Sequence, residues 1–141
     1  MNVLQMSIPP LPRFAATARS ALSRFAGDNA IAPPDLENLI FALGEAIANA
    51  IQHARTTEAI EIRIDVDGDS IVVTVTDRGR GLPVLPRGPV SFPSVFAEAG
   101  RGFAIMQRCT DFLDVSSAPE AGTIVKLGRY RRTPQELGTA S

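Results

Sequence analysis

Apolar and polar positions recur along this chain with two different periods, and the change of period divides it into elements. Phe14, Ala18, Leu22 and Phe25 follow a helical spacing, which predicts a helix over 13–25. It comes after a short strand at Met6-Ser7-Ile8 that Pro9 and Pro10 stop. Gly27 and Asp28-Asn29 close this helix. Pro33-Pro34-Asp35 opens a second one over 34–54, with Asp35 as N-cap or first-turn acid. On the second helix Leu36, Leu39, Ile40, Leu43, Ile47 and Ile51 share one side. Asn38, Glu45, Asn49 and Gln52 gather on the opposite side, among Ala42, Gly44, Ala46 and Ala48. Neighbours that small let another group come close to the polar side chains.

Farther along, the period falls to two. Ile60, Ile62, Ile64 and Val66 alternate with charged residues, the pattern of a half-buried strand. Asp67-Gly68-Asp69 supplies a turn, and the apolar run over 71–76 returns as a more central strand. Pro83, Pro86, Pro89 and Pro93 forbid long regular structure between 82 and 99, a loop or lid. A helix over 102–110 follows, then strands over 112–116 and 123–130 around a turn at 119–122. Residues 1–132 thus read as one domain, and 133–141 as a mobile tail. Helices come first, then mostly hairpin-linked strands with one more helix between them. That order implies an α+β fold: a two-layer sandwich with helices packed on one face of a mixed, mainly antiparallel sheet.

Composition narrows the function classes. A chain of 141 residues suits a single domain. The net charge is −1 with both signs well mixed, so no basic stripe exists for direct nucleic-acid binding. Cys109 is the only cysteine; it reads as a small core residue and excludes both an intrachain disulfide and a Cys-rich metal site. No apolar run approaches the ~20 residues of a membrane span, and no secretory signal is visible at the N-terminus, so cytoplasm is the expected compartment.

Three features carry candidate chemistry. Glu45 and Asn49 lie one helical turn apart on one face. The amide oxygen of Asn49 suits Mg²⁺, and the Glu45 carboxylate can accept a proton or hold a metal-bound water. Asp77-Arg78-Gly79-Arg80-Gly81 directly follows the central strand, where a carboxylate can accept a hydrogen bond from an exocyclic amine and glycines let a flat ring approach. Gly100-Arg101-Gly102-Phe103 opens the next helix, where free N–H groups and an arginine can receive phosphates. Each alone has an ordinary reading: a surface pair, a turn, a loop-to-helix junction. There is no P-loop and no dinucleotide-fold fingerprint.

Together, Glu45-x-x-x-Asn49, Asp77-x-Gly79-x-Gly81, Gly100-x-Gly102 and Gly122-Thr123 resemble, in order and spacing, the four motifs of the GHKL ATPase superfamily. Through Glu45-Ala-Ile-Ala-Asn-Ala-Ile-Gln-His53-Ala, Gly102-Phe-Ala-Ile-Met-Gln and Asp111-Phe-Leu-Asp-Val, the chain looks like the anti-sigma factor serine/threonine kinases of bacterial partner-switching systems. The resemblance implies ATP and Mg²⁺ as cofactors. Asn49 would ligate the metal and Asp77 read the adenine amine, with Gly79 and Gly81 shaping the base pocket and Thr123 completing it. Gly100, Arg101 and Gly102 would hold phosphates, His53 stands at a family position near them, and Glu45 would be the general base for a serine or threonine hydroxyl. The implied partners are a sigma factor and an antagonist protein carrying that hydroxyl; homodimers are common in the family. Two other functions stay open from the sequence: a non-catalytic ATP-gated binding module, and the detached catalytic domain of a histidine kinase.

Overall fold

A computed structural model describes residues 2–54, 57–79, 97–118 and 121–132; of residues 53, 54, 97–100 and 118 it describes the backbone only. The elements run β1 (Asn2–Ile8), a 3-10 turn (Pro12–Phe14), α1 (Ala15–Asp28), α2 (Pro33–Ala54), β2 (Ile60–Val66), β3 (Ser70–Asp77), α3 (Ala97–Cys109), β4 (Phe112–Ala118) and β5 (Gly122–Tyr130). Helices and strands segregate into two layers, as the order of periods implies. The expected mixture of strand directions does not occur: the sheet runs β1-β2-β3-β5-β4, and each of its four pairings is antiparallel. The connections explain this. Two helices return the chain between β1 and β2, one helix and β4 return it between β3 and β5, and hairpins join the rest.

Register puts the core on one face. Leu4, Ile64, Val73, Leu127 and Leu113 form one cross-strand row, and Met6, Ile62, Val75, Val125 and Val115 form another. Against these rows α2 lays Leu39, Leu43 and Ile47, all fully buried, each stabilising by about 1.5–3 kcal/mol relative to an exposed position. α1 adds Ala18, Leu22 and Ala26. Cys109 packs half-buried against this core, and burial pushes its thiol above the ordinary range, in keeping with a packing role.

Two boundaries differ from the sequence expectation for physical reasons. β1 begins at Asn2, because seven residues find partners along β2 rather than the three with evident strand character. α3 begins at Ala97, not at Gly102. Ala97, Glu98 and Ala99 are good helix formers, and two glycines at about 1 kcal/mol each do not stop a helix already begun. The Gly100-Arg101-Gly102 segment is therefore built into α3 rather than standing ahead of it. α1 ends after Asp28 in a paired closure in which Ile31 N–H reaches Ala26 C=O and Ala30 N–H reaches Gly27 C=O. Ala30 holds the left-handed position, φ 57°, that glycine usually takes. Among the described residues no helix is long and apolar enough to cross a membrane.

Candidate functional site

The inward positions of β3 are Ile71, Val73, Val75 and Asp77, and those of β5 are Thr123, Val125, Leu127 and Arg129. The apolar series thus gives way to polar groups at both ends of the sheet. At one end Asp77 faces Thr123, which in turn faces Ser117. Asp77 is 7% exposed. Its Oδ1 accepts the N–H of Gly79 at 3.0 Å and that of Thr123 at 3.2 Å, while no donor among the described residues reaches Oδ2. Burial raises the carboxyl above the usual carboxylate range, and the two N–H donors offset part of that rise. The Thr123 hydroxyl lies 2.9 Å from that of Ser117. Gly122 makes this corner possible: its φ is +90°, and a Cβ there would stand 2.0 Å from the Asp77 carbonyl oxygen.

The second group of residues lies between helices. Of the small residues expected to admit a neighbour, Ala42 and Ala46 of α2 are buried, Gly44 is half-buried and Ala48 is exposed, and α3 packs closely on α2. The approach is tightest at Asn49, which is 9% exposed. A Cβ on Gly102 would lie 3.0 Å from Asn49 Nδ2 and 3.3 Å from Oδ1. Asn49 Nδ2 is buried with no hydrogen-bond partner among the described residues. Glu45, one turn earlier, is half-buried, and Arg101 is exposed on α3.

Topology brings the two groups to the same end of the layers. α2 starts beside the far end of β5, where Asp35 binds Arg129. Asn49 is fourteen residues along α2 from Asp35, about 21 Å, and Thr123 is six residues back along β5 from Arg129, about 20 Å. Asn49 and the Asp77–Thr123 corner therefore come level. The end of α2 also leads within a few residues to the start of β2, where Glu61 pairs with Thr76 beside Asp77.

Of the residues singled out from the sequence, Asn49 and Gly102 come into contact, as do Asp77, Gly79 and Thr123. Glu45 and Arg101 lie on the two helices that meet at Asn49. Gly100 lies within the first turn of α3, and helix geometry turns the N–H groups of Arg101 and Gly102 back toward carbonyls one turn earlier. Gly81, the side chain of His53 and residues 82–96 of the loop or lid expected over 82–99 fall outside the described residues, and 97–99 belong to α3 instead. Sequence reasoning did not single out Ser117 or the positive φ of Gly122. It also missed the Asp35–Arg129 pair at the opposite end, although a charge at an inward strand position was a visible signal.

A model of the histidine kinase-like ATPase domain matches residues 8–129. An anti-sigma F factor of Pasteuria penetrans is 30% identical, with the match covering 89% of each chain. The serine-protein kinase RsbW of Bacillus velezensis is 28% identical over 92% of this chain and 86% of its own. Among solved structures, the RsbU and RsbW domains of a Mycobacterium tuberculosis protein superpose with a TM-score of 0.72 at 18% identity, over 94% of this chain and 34% of that one, a likeness of fold. With that family model matching residues 8–129 and these relatives along most of its length, the chain belongs to the histidine kinase-like ATPase domain family, in the anti-sigma factor kinase branch of the GHKL superfamily.

Proposed function

We propose that this chain is an Mg-ATP-dependent serine/threonine protein kinase that acts as an anti-sigma factor in a bacterial partner-switching system. The observation that carries the proposal is Asp77: a buried carboxylate with both backbone donors on Oδ1 and Oδ2 left to accept the exocyclic amine of adenine. Asn49 fits the metal. Its amide oxygen is a neutral donor of the kind Mg²⁺ accepts, and its amide nitrogen is buried with no acceptor among the described residues. Mg²⁺ takes few protein ligands and keeps phosphates and waters, so one side chain suffices.

Asn49 would hold Mg²⁺, which when bound would supply neutralisation of the charge that develops during transfer. The chain's own residues do the rest. Asp77 and Thr123, with Gly79, orient the base. Arg101 and the first turn of α3, which contains Gly100, attract the phosphates. Glu45, one turn from the metal ligand, accepts the proton of the attacking serine or threonine hydroxyl. That hydroxyl belongs to an antagonist protein, and the competing partner is a sigma factor. Relatives named anti-sigma F factor and serine-protein kinase support both halves of this assignment.

Glu45→Gln tests it. ATP affinity should stay within about threefold, while transfer of labelled phosphate to the antagonist falls by about 10²–10⁴. Undiminished transfer removes Glu45 from the mechanism. No covalent label even with the wild-type chain, together with nucleotide-dependent partner binding, indicates an ATP-gated module instead. An acid-labile phosphohistidine on a partner indicates a detached histidine-kinase domain.

A further inference from the structure

We infer that Gly102 is a positioning residue for the metal ligand: the Asn49 amide occupies the space left by its missing side chain, and that packing sets where Asn49 Oδ1 faces Mg²⁺. The inference rests on the ATP site proposed above and gives Gly102 a role other than donating to phosphates. Gly102 is buried in the second turn of α3, so its N–H is directed to the carbonyl of residue 98 rather than to a ligand. Local propensity gives no reason for glycine there, since alanine is the better helix former. Its neighbour does: a Cβ would approach Asn49 Nδ2 to 3.0 Å, and the amide would have to give way by a few tenths of an ångström.

The last torsion of an asparagine side chain has a broad, roughly two-fold profile, so a hydrogen bond normally fixes it. Among the described residues Asn49 Nδ2 has no such partner. Contact with the bare Cα of Gly102 therefore limits the rotation of the amide plane. A displacement of tenths of an ångström matters to this ligand in particular, because Mg²⁺ demands near-octahedral geometry at about 2.0–2.1 Å. A bulkier residue at position 102 disturbs metal capture while leaving base recognition at Asp77 intact.

The test is ATP titration calorimetry on the full chain, with Mg²⁺ and with EDTA, for wild type, Gly102→Ala, Asn49→Ala and the double variant. Thermal melts accompany it. Gly102→Ala should keep its melting temperature and its ATP affinity in EDTA, and lose about tenfold of the enhancement that Mg²⁺ gives. The double variant should match Asn49→Ala. It removes the crowded amide, so it supplies a folded comparison even if Gly102→Ala alone is unstable. The inference is overturned if Gly102→Ala weakens ATP equally in EDTA, if it weakens ATP further when Asn49 is already alanine, or if it leaves the Mg²⁺ enhancement intact. A wild-type chain that binds no Mg-ATP, or an Asn49→Ala variant with full Mg²⁺ enhancement, overturns the proposed site itself.

Discussion

Gly122 shows how a single residue can hold the Asp77–Thr123 corner together. β5 enters directly opposite the end of β3, and the two backbones approach so closely that any side chain at position 122 meets the Asp77 carbonyl oxygen. The left-handed φ of +90° adds a conformational reason for glycine. Gly122→Ala should therefore lower stability by about 2 kcal/mol or more, because strain and collision act together. Urea denaturation measures that loss. ATP affinity should fall as well, since the Thr123 N–H that orients Asp77 belongs to the next residue. An alanine variant with wild-type stability would show that the corner relaxes and that the tight turn is dispensable.

At the scale of elements, the Asp35–Arg129 pair joins three parts of the fold at the end opposite the candidate site. Arg129 Nε and Nη2 each reach Asp35 Oδ1 at 2.8 Å, and Nη1 donates to the Cys109 carbonyl at 3.1 Å. Asp35 lies in the first turn of α2 and Cys109 ends α3. The carboxylate thus complements the positive end of one helix, and the guanidinium the negative end of another. Arg132 adds a third donor to the same oxygen, and Arg131 fastens the chain to the turns at Asp67 and Asn29. Asp35 Oδ2 has no partner among the described residues, which leaves the buried pair incompletely satisfied there. Arg129→Met should cost about 3–5 kcal/mol, because it leaves a buried carboxylate with only the half-exposed Arg132. The melting temperature should fall by roughly 10 °C or more. Asp35→Leu with Arg129→Met should recover most of this loss, as apolar replacements of buried ion pairs commonly do. A double variant as unstable as the single one would place the main contribution in the bond to the α3 carbonyl, not in the charge pair.

For the whole molecule, the candidate site is a place where stability and function pull apart. Asp77 is buried enough that its carboxyl is harder to ionise than in an unfolded chain. Between the unfolded and folded pKa values the folded state binds the extra proton, so this group's contribution to stability declines as pH rises through that window. It is most favourable below the ordinary value of 3.8. Asp77→Asn keeps an acceptor for the Gly79 and Thr123 N–H groups and removes the buried charge. Without nucleotide it should be more stable than wild type at pH 7, with the advantage shrinking toward pH 4. Its ATP affinity should drop by about 10–100-fold as an acceptor for adenine becomes a donor. Denaturant midpoints at both pH values check the first part, and calorimetry the second. A variant less stable at pH 7 would mean that hydrogen bonding to the charged carboxylate outweighs its burial.

The sequence by itself determined the elements and the chemistry they carry. Periods of 3.6 and 2 marked both long helices and the central hairpin, because burial of one face imposes the pattern residue by residue. Glu45, Asn49, Asp77 and Thr123 could be picked out because motif spacing is local information. Tertiary structure alone decided what depends on distant chain segments meeting. It ran every described strand pairing antiparallel, joined Asp35 to Arg129 across ninety-four positions, and set Gly102 against the Asn49 amide. Propensity and periodicity describe a residue's preference for its own neighbours along the chain. Contacts at ~3 Å between remote segments follow from how whole layers pack, and no local pattern encodes them.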